Sequence, residues 1–216
     1  MIARINKAHF PVTTLGYGRR IGVWFQGCPI RCAGCTSMDT WEDDPGRAMP
    51  LKLLMRWCKG VTKGNLNGIT ISGGEPFHQP EALFQLVIEL RKWENCLGEP
   101  IDILCYSGYH LSQLTKKFPE ILALLDVLIA GPFLSNRPSR SALRGSSNQK
   151  LVALSPQGIS RYSESAQSAL TGRKQMQVKA DGQGIWFIGV PQPGDMAHLK
   201  AHCEAQGLNM EETSWG

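Results

Sequence analysis

The sequence predicts an α/β fold: a partial, open (β/α) barrel followed by a C-terminal β-β-α extension. Three observations carry this. Apolar runs of strand composition recur at Ile21–Gln26, Asn67–Ser72, Ile101–Tyr106 and Asp126–Ala130, each closed by a glycine shortly after. Stretches with a 3.6-residue apolar period lie between them, and β–α units in this order call for parallel strands with right-handed crossovers. Two further strand-like segments and a helical one follow near the C-terminus.

In chain order, residues 1–20 read as an extended lead-in and a Gly-rich turn, Gly16-Tyr17-Gly18, with Arg19-Arg20 bringing positive charge to the first core strand. Gly27 then opens a loop running to about Thr40. Ala48 to Lys59 reads as a helix, because Leu51, Leu54, Met55 and Cys58 share one face; Cys58 is therefore core. The strand 67–72 runs into Gly73-Gly74-Glu75-Pro76, where paired glycines expose backbone and Glu75 adds a carboxylate able to accept from an ammonium. Gln79 to about Glu94 is the strongest helix, with Pro80 in its first turn. Strand 101–106 holds Cys105 as packing and ends in Ser107-Gly108, where α/β ligands collect beyond strand ends.

Leu111 to Leu125 is helical in two pieces, divided at Pro119. After the strand 126–130 comes Gly131-Pro132-Phe133, then a polar segment from Ser135 to Ser147 with Arg137, Arg140 and Arg144, read as a mobile flap or a surface loop. Ser155 to Thr171 is Ser- and Gln-rich, a loop or weak helix. Gln175–Lys179 and Gly184–Val190 form a hairpin turning at Asp181-Gly182, and Asp195 caps a last helix through about Ala205 with Met196, Leu199 and Cys203 inward. The expected division is a core at 1–154 and an extension at 155–216.

At 216 residues, 42% hydrophobic and 19% charged, the chain fits one soluble domain with an appendix. Neither a membrane span nor a secretory signal is legible, and seven cysteines, an odd number, fit a reducing cytoplasm. A net charge of +5 without a dense basic block disfavours specific nucleic-acid binding.

The chemistry centres on Cys28, Cys32 and Cys35, spaced x3 and x2 on one loop. A closed zinc site wants four ligands, for which His9 or His78 would have to complete a knuckle. A disulfide on so tight a loop would be strained and leave one thiol over. Three thiolates suit an iron–sulfur cluster with one open iron, and this reading leads.

The C-x3-C-x2-C loop after a strand, followed by Ser72-Gly73-Gly74-Glu75-Pro76, resembles the radical S-adenosylmethionine (SAM) superfamily. Leu15–Arg20, Trp41, Asp126–Phe133 and Arg144–Gln149 narrow the resemblance to its activating-enzyme branch, of the anaerobic (class III) ribonucleotide-reductase activating type, over about residues 15–151. The resemblance implies a barrel of the radical SAM type and places the Gly-rich turn at 16–20 near the cluster. It implies a 4Fe-4S cluster on Cys28, Cys32 and Cys35, and SAM held by Gly73, Gly74, Glu75 and Pro76, with Ser107 near its ribose or carboxylate. Reductive cleavage of SAM to a 5′-deoxyadenosyl radical would then abstract hydrogen from a glycine of a partner glycyl-radical enzyme. A low-potential donor such as flavodoxin would supply the electron. Gly34 departs from the aromatic that many superfamily members carry beside the adenine, though reductase activators tolerate glycine there. The extension exceeds what compact activators need. It keeps open a stand-alone radical SAM enzyme acting on a peptide, nucleotide or small molecule, and, more remotely, a metal-binding regulatory module.

Overall fold

The computed structural model describes residues 1–63, 65–163, 176–181, 184–208 and 213–215. A seven-stranded mixed sheet organises the core. Its strands are β1 (Ile2–Val12), β2 (Arg20–Phe25), β3 (Ala48–Pro50), β4 (Gly68–Gly73), β5 (Asp102–Ser107), β6 (Val127–Ala130) and β7 (Lys150–Ala153), in spatial order β3-β1-β2-β4-β5-β6-β7. The four central strands β2, β4, β5 and β6 are parallel, β1 and β7 flank them antiparallel, and β3 pairs antiparallel with β1 at the outer edge. The α/β fold with a parallel centre is as expected. Among the described residues no pairing joins the edge strands β3 and β7.

Side-chain alternation gives the sheet two different faces. Ile21, Val23, Phe25, Ile69, Ile71, Ile103, Cys105 and Leu128 join a cluster with the helices α1 (Leu51–Thr62), α2 (Pro80–Glu94), α3 (Leu111–Lys117) and α4 (Pro119–Leu122). The intervening Trp24, Leu104, Tyr106, Val127 and Ile129 pack instead with Leu15, Leu143, Tyr162 and Ile188. Cys58 is fully buried in α1, as its helical spacing requires, and its thiol is pushed up to about 12 by burial.

Two short edge strands escaped the sequence reading, which begins a helix at Ala48. Residues 48–50 pair with Ile2–Arg4, and Pro50 is extended, so α1 starts at Leu51. Strand β7 is only four residues, half-exposed, and defined by its partner β6. The Ser155–Thr171 stretch begins with a true helix, α5 (Pro156–Tyr162), capped by the Ser155 hydroxyl, which accepts from Gly158 N–H at 3.1 Å. A Cβ on Gly158 would stand 2.1 Å from the Asp126 carbonyl oxygen, so glycine alone permits this contact.

The Gly16–Arg20 turn lies at the amino ends of the parallel strands, opposite the cysteine loop, which corrects its expected place near a cluster. Arg20 is wholly buried and donates from Nη1 and Nη2 to Asp102 at 3.0 and 2.7 Å, and from Nε to Thr70 Oγ1 at 2.6 Å. Tyr162 and Arg161 also donate to Asp102, at 3.0 and 2.7 Å. A buried guanidinium needs such pairing, and that fixes the turn here.

The extension contributes a separate hairpin, β8 (Gln177–Asp181) with β9 (Gly184–Ile188), and α6 (Asp195–Ala205). Gly182, in the expected turn, and residues 164–175 lie outside the described residues. Asp195 is not the cap. Gly194 takes that position with φ +91°, and the Asp195 carboxylate accepts from Gln192 N–H at 2.7 Å. Cys203 is buried, and Met196 and Leu199 are half-buried.

Candidate functional site

The cysteine loop leaves the carboxyl end of β2 and is stitched at its base. Gly27 N–H donates to Thr40 O at 2.8 Å and Cys28 N–H to Trp41 O at 2.9 Å, so the loop closes on itself. Within it Arg31 and Gly34 take positive φ, 48° and 75°, and Cys35 N–H turns back to Cys32 O at 3.1 Å. These turns hold three half-buried free thiols within electrostatic reach of one another. Burial pushes the Cys28 and Cys32 thiols up, and the like charges of neighbouring cysteines add to it. Backbone N–H groups act in the other direction, from Arg31 and Ile30 on Cys28 and from Phe133 on Cys32. Ser37 N–H lies 3.4 Å from Cys35 Sγ.

An all-thiolate set with N–H donors aimed at sulfur fits an iron–sulfur cluster, whose potential such bonds tune. Among the described residues no three His, Cys, Asp or Glu are arranged around a single ion. A cubane takes its thiolates at separate irons and does not require that spacing. His9 packs edge-on against Trp186, with ring centroids 6.2 Å apart.

The Gly73-Gly74 turn is pressed onto the same loop. Gly74 N–H donates to Phe25 O and Glu75 N–H to Gly27 O, both at 2.9 Å. A Cβ on Gly73, where φ is +103°, would fall 2.4 Å from Phe25 N; one on Gly74 would fall 2.3 Å from Gly27 O. Only glycines allow so close an approach. The N–H groups of Gly74 and Glu75 are taken up in this contact.

Glu75 is fully buried, and its carboxylate bridges two strand ends. It accepts from Phe77 N–H at 3.0 Å, from Ser107 Oγ at 2.9 Å and from Gly108 N–H at 2.7 Å. Burial outweighs these donors and pushes the carboxyl up to about 7. Pro76, buried, opens the short 3-10 turn that Glu75 caps. Glu75 thus braces the β4 and β5 loops, with Ser107 bound to it.

Sequence reasoning assigned no role to Phe133. Its ring stands 3.6 Å from where a Gly34 Cβ would be and 3.0 Å from that of Gly145. The Ser135–Ser147 segment is anchored, which corrects the expectation of a mobile flap. Tyr106 donates to Leu143 O at 2.9 Å, Ser147 N–H donates to Arg137 O at 2.7 Å, and Leu143 and Ser146 are buried. The signal available in sequence was the lone Leu143 amid polar residues.

A family model described as a 4Fe-4S single cluster domain matches residues 14–152. The chain belongs to that family. It is 30% identical over 145 residues to the anaerobic ribonucleoside-triphosphate reductase-activating protein of Escherichia coli K12, covering 65% of this chain and 93% of that one. The protein of the same name from Enterobacteria phage T4 is 28% identical over 63% of this chain and 85% of its own. The pyruvate formate-lyase-activating enzyme of Clostridium pasteurianum is 35% identical over 59% of this chain and 53% of its own. The chain resembles radical SAM activating enzymes, and the family and these relatives imply a 4Fe-4S cluster and SAM as its cofactors. Residues 153–216 fall outside the family match. No described helix is long and apolar enough to cross a membrane.

Proposed function

We propose that the chain is a radical SAM activating enzyme whose partner is a glycyl-radical enzyme of the anaerobic ribonucleotide reductase type. The observation that carries this is the junction of the three-thiol loop with the Gly73-Gly74 turn, in a chain of a 4Fe-4S family. When bound, cluster and SAM supply a one-electron cleavage that yields a hydrogen-abstracting radical. Cys28, Cys32 and Cys35 would hold the cluster, and N–H groups of Ile30, Arg31, Ser37 and Phe133 would steady their thiolate charge.

With the Gly74 and Glu75 N–H groups already used, the carbonyl side of Gly73 and Gly74 would accept from the amino group of SAM. Glu75 and Pro76 would fix that turn, and Ser107, tied to Glu75, would set the facing β5 loop near the ribose or carboxylate. A low-potential donor such as flavodoxin would serve as reductant. Residues 1–154 would act as the catalytic core and 155–216 as an extension whose helix α5 seats on that core.

Anaerobic reconstitution with iron, sulfide, dithionite and SAM tests the reading. Formation of 5′-deoxyadenosine is expected, abolished by Cys32→Ala and retained in Cys58→Ala. Equal loss in both variants, or a colourless zinc-loaded protein, overturns the ligand assignment. A second reading, a stand-alone radical SAM enzyme, is favoured by one feature: the extension covers the sheet face beside the cysteine loop, where Ile188 joins Val12, Leu15, Trp24 and Tyr106.

A further inference from the structure

The extension meets the cysteine loop across a cavity of about 870 Å³, and Ser214 and Trp215 stand on the extension's side of it. The hairpin is tied to the core by Thr14 Oγ1, which donates to Ile188 O at 2.9 Å, and by Gln177 Nε2, which donates to Pro11 O at 2.7 Å. Trp215 is set edge-on against Phe187 of β9, with ring centroids 6.1 Å apart. Ser214, next to it, grips the loop itself. Its hydroxyl donates to Thr36 O at 3.0 Å, and its carbonyl accepts from Met38 N–H at 2.9 Å.

Those two bonds fall on either side of Ser37, whose N–H points at Cys35 Sγ, 3.4 Å away. Thr36 O and Ser37 N–H belong to one peptide unit, which is planar and trans, so they point in opposite directions. Fixing the oxygen therefore fixes the N–H. A donor on the oxygen also polarises the amide and strengthens what its N–H gives to sulfur. The next peptide has anchors of its own in the loop, since Ser37 O accepts from Thr40 N–H at 3.1 Å and from Thr40 Oγ1 at 2.6 Å. Among the described residues the Thr36 carbonyl has no donor but Ser214. The orientation of the N–H that faces Cys35 thus depends on a residue of the extension.

We propose that Ser214 is a positioning residue for the cluster: it holds the Thr36–Ser37 peptide with the Ser37 N–H on the Cys35 sulfur, and through it the extension raises the cluster's reduction potential. The inference rests on the cluster reading and deepens it by giving a residue outside the family match a task at the metal centre. An N–H donated to a cluster sulfur offsets part of the charge that an added electron brings, which eases reduction. Cys28 and Cys32 receive such donors from the core, from Ile30, Arg31 and Phe133. Cys35 is served through the extension.

The test uses the full chain reconstituted anaerobically with iron and sulfide, its cluster poised with redox mediators and read by electron paramagnetic resonance. Ser214→Ala removes the hydroxyl and should lower the reduced-to-oxidised ratio at a fixed potential about threefold, or about 28 mV at about 59 mV per tenfold for one electron. Ser214→Thr keeps the hydroxyl and should restore the original ratio. Leu53→Ala, exposed on α1, should leave it unchanged. Hydrogen exchange of the cluster-free chain, read by mass spectrometry, gives a second measure. A chain ending at residue 212 should exchange its Met38 amide about tenfold faster, the loss of one net hydrogen bond. A ratio that does not move in Ser214→Ala, or that falls as far in Ser214→Thr, overturns the proposal, as does unchanged exchange at Met38. A colourless chain that takes up no iron strikes the cluster reading and the proposal with it, and the exchange rate then still shows whether Ser214 grips the loop.

Discussion

Replacing Glu75 by glutamine probes the brace between the loops that follow β4 and β5 without changing its size. Burial pushes this carboxyl from the ordinary 4.5 to about 7, against the N–H groups of Phe77 and Gly108 and the Ser107 hydroxyl. With the folded pKa above the unfolded one, the native chain binds more protons between those two values. The resulting stabilisation is complete below the unfolded pKa and is lost as pH rises through about 7. A displacement of this size corresponds to about 3 kcal/mol. Glutamine does not ionise and has no such dependence. Urea unfolding of the cluster-free chain and of Glu75→Gln, followed by circular dichroism at about pH 4.5, 6 and 7.5, isolates the effect, because all other groups cancel in the difference. The stability of the unaltered chain minus that of the variant should fall by about 3 kcal/mol across this window. A difference that stays flat with pH would refute the buried-carboxyl argument.

Three further outcomes follow from the packing. Asp102→Ala leaves the Arg20 guanidinium buried without its counter-charge and should cost about 3–5 kcal/mol in denaturant unfolding, with SAM affinity falling only in step with folded fraction. Gly74→Ala drives a Cβ into the Gly27 backbone, so stability should drop by about 1–3 kcal/mol and SAM affinity of the remaining folded protein should fall as well. Alkylation of the native chain by iodoacetamide at neutral pH, read by mass spectrometry, should mark exposed Cys96 and spare Cys58 and Cys105, whose thiols burial pushes up.

Much of the site was legible because its logic is local. Cys28, Cys32 and Cys35 sit within one loop, and the Gly73-Gly74 turn ends one strand, so residue type and spacing reveal them without tertiary contacts. The helices α1 and α2 announce themselves by their apolar period, and the structure buries the residues that period selects. Strands β3 and β7 carry no such signal, being short and dependent on distant partners. The buried partners of Arg20 and Glu75 were out of reach for a related reason. A sequence shows a charged residue but not whether it faces a ligand or a buried partner far along the chain.

By itself, then, the sequence determined the order of β–α units, the thiol loop and the kind of chemistry that three adjacent thiolates support. Tertiary structure alone decided that Glu75 is a brace, that Phe133 and the anchored 135–147 segment border the loop, and that the extension walls a cavity. The physical reason is range. Periodicity and turn chemistry act over a few residues, whereas these features come from contacts such as Glu75 with Ser107 and Thr14 with Ile188, whose energies exist only once distant segments have met.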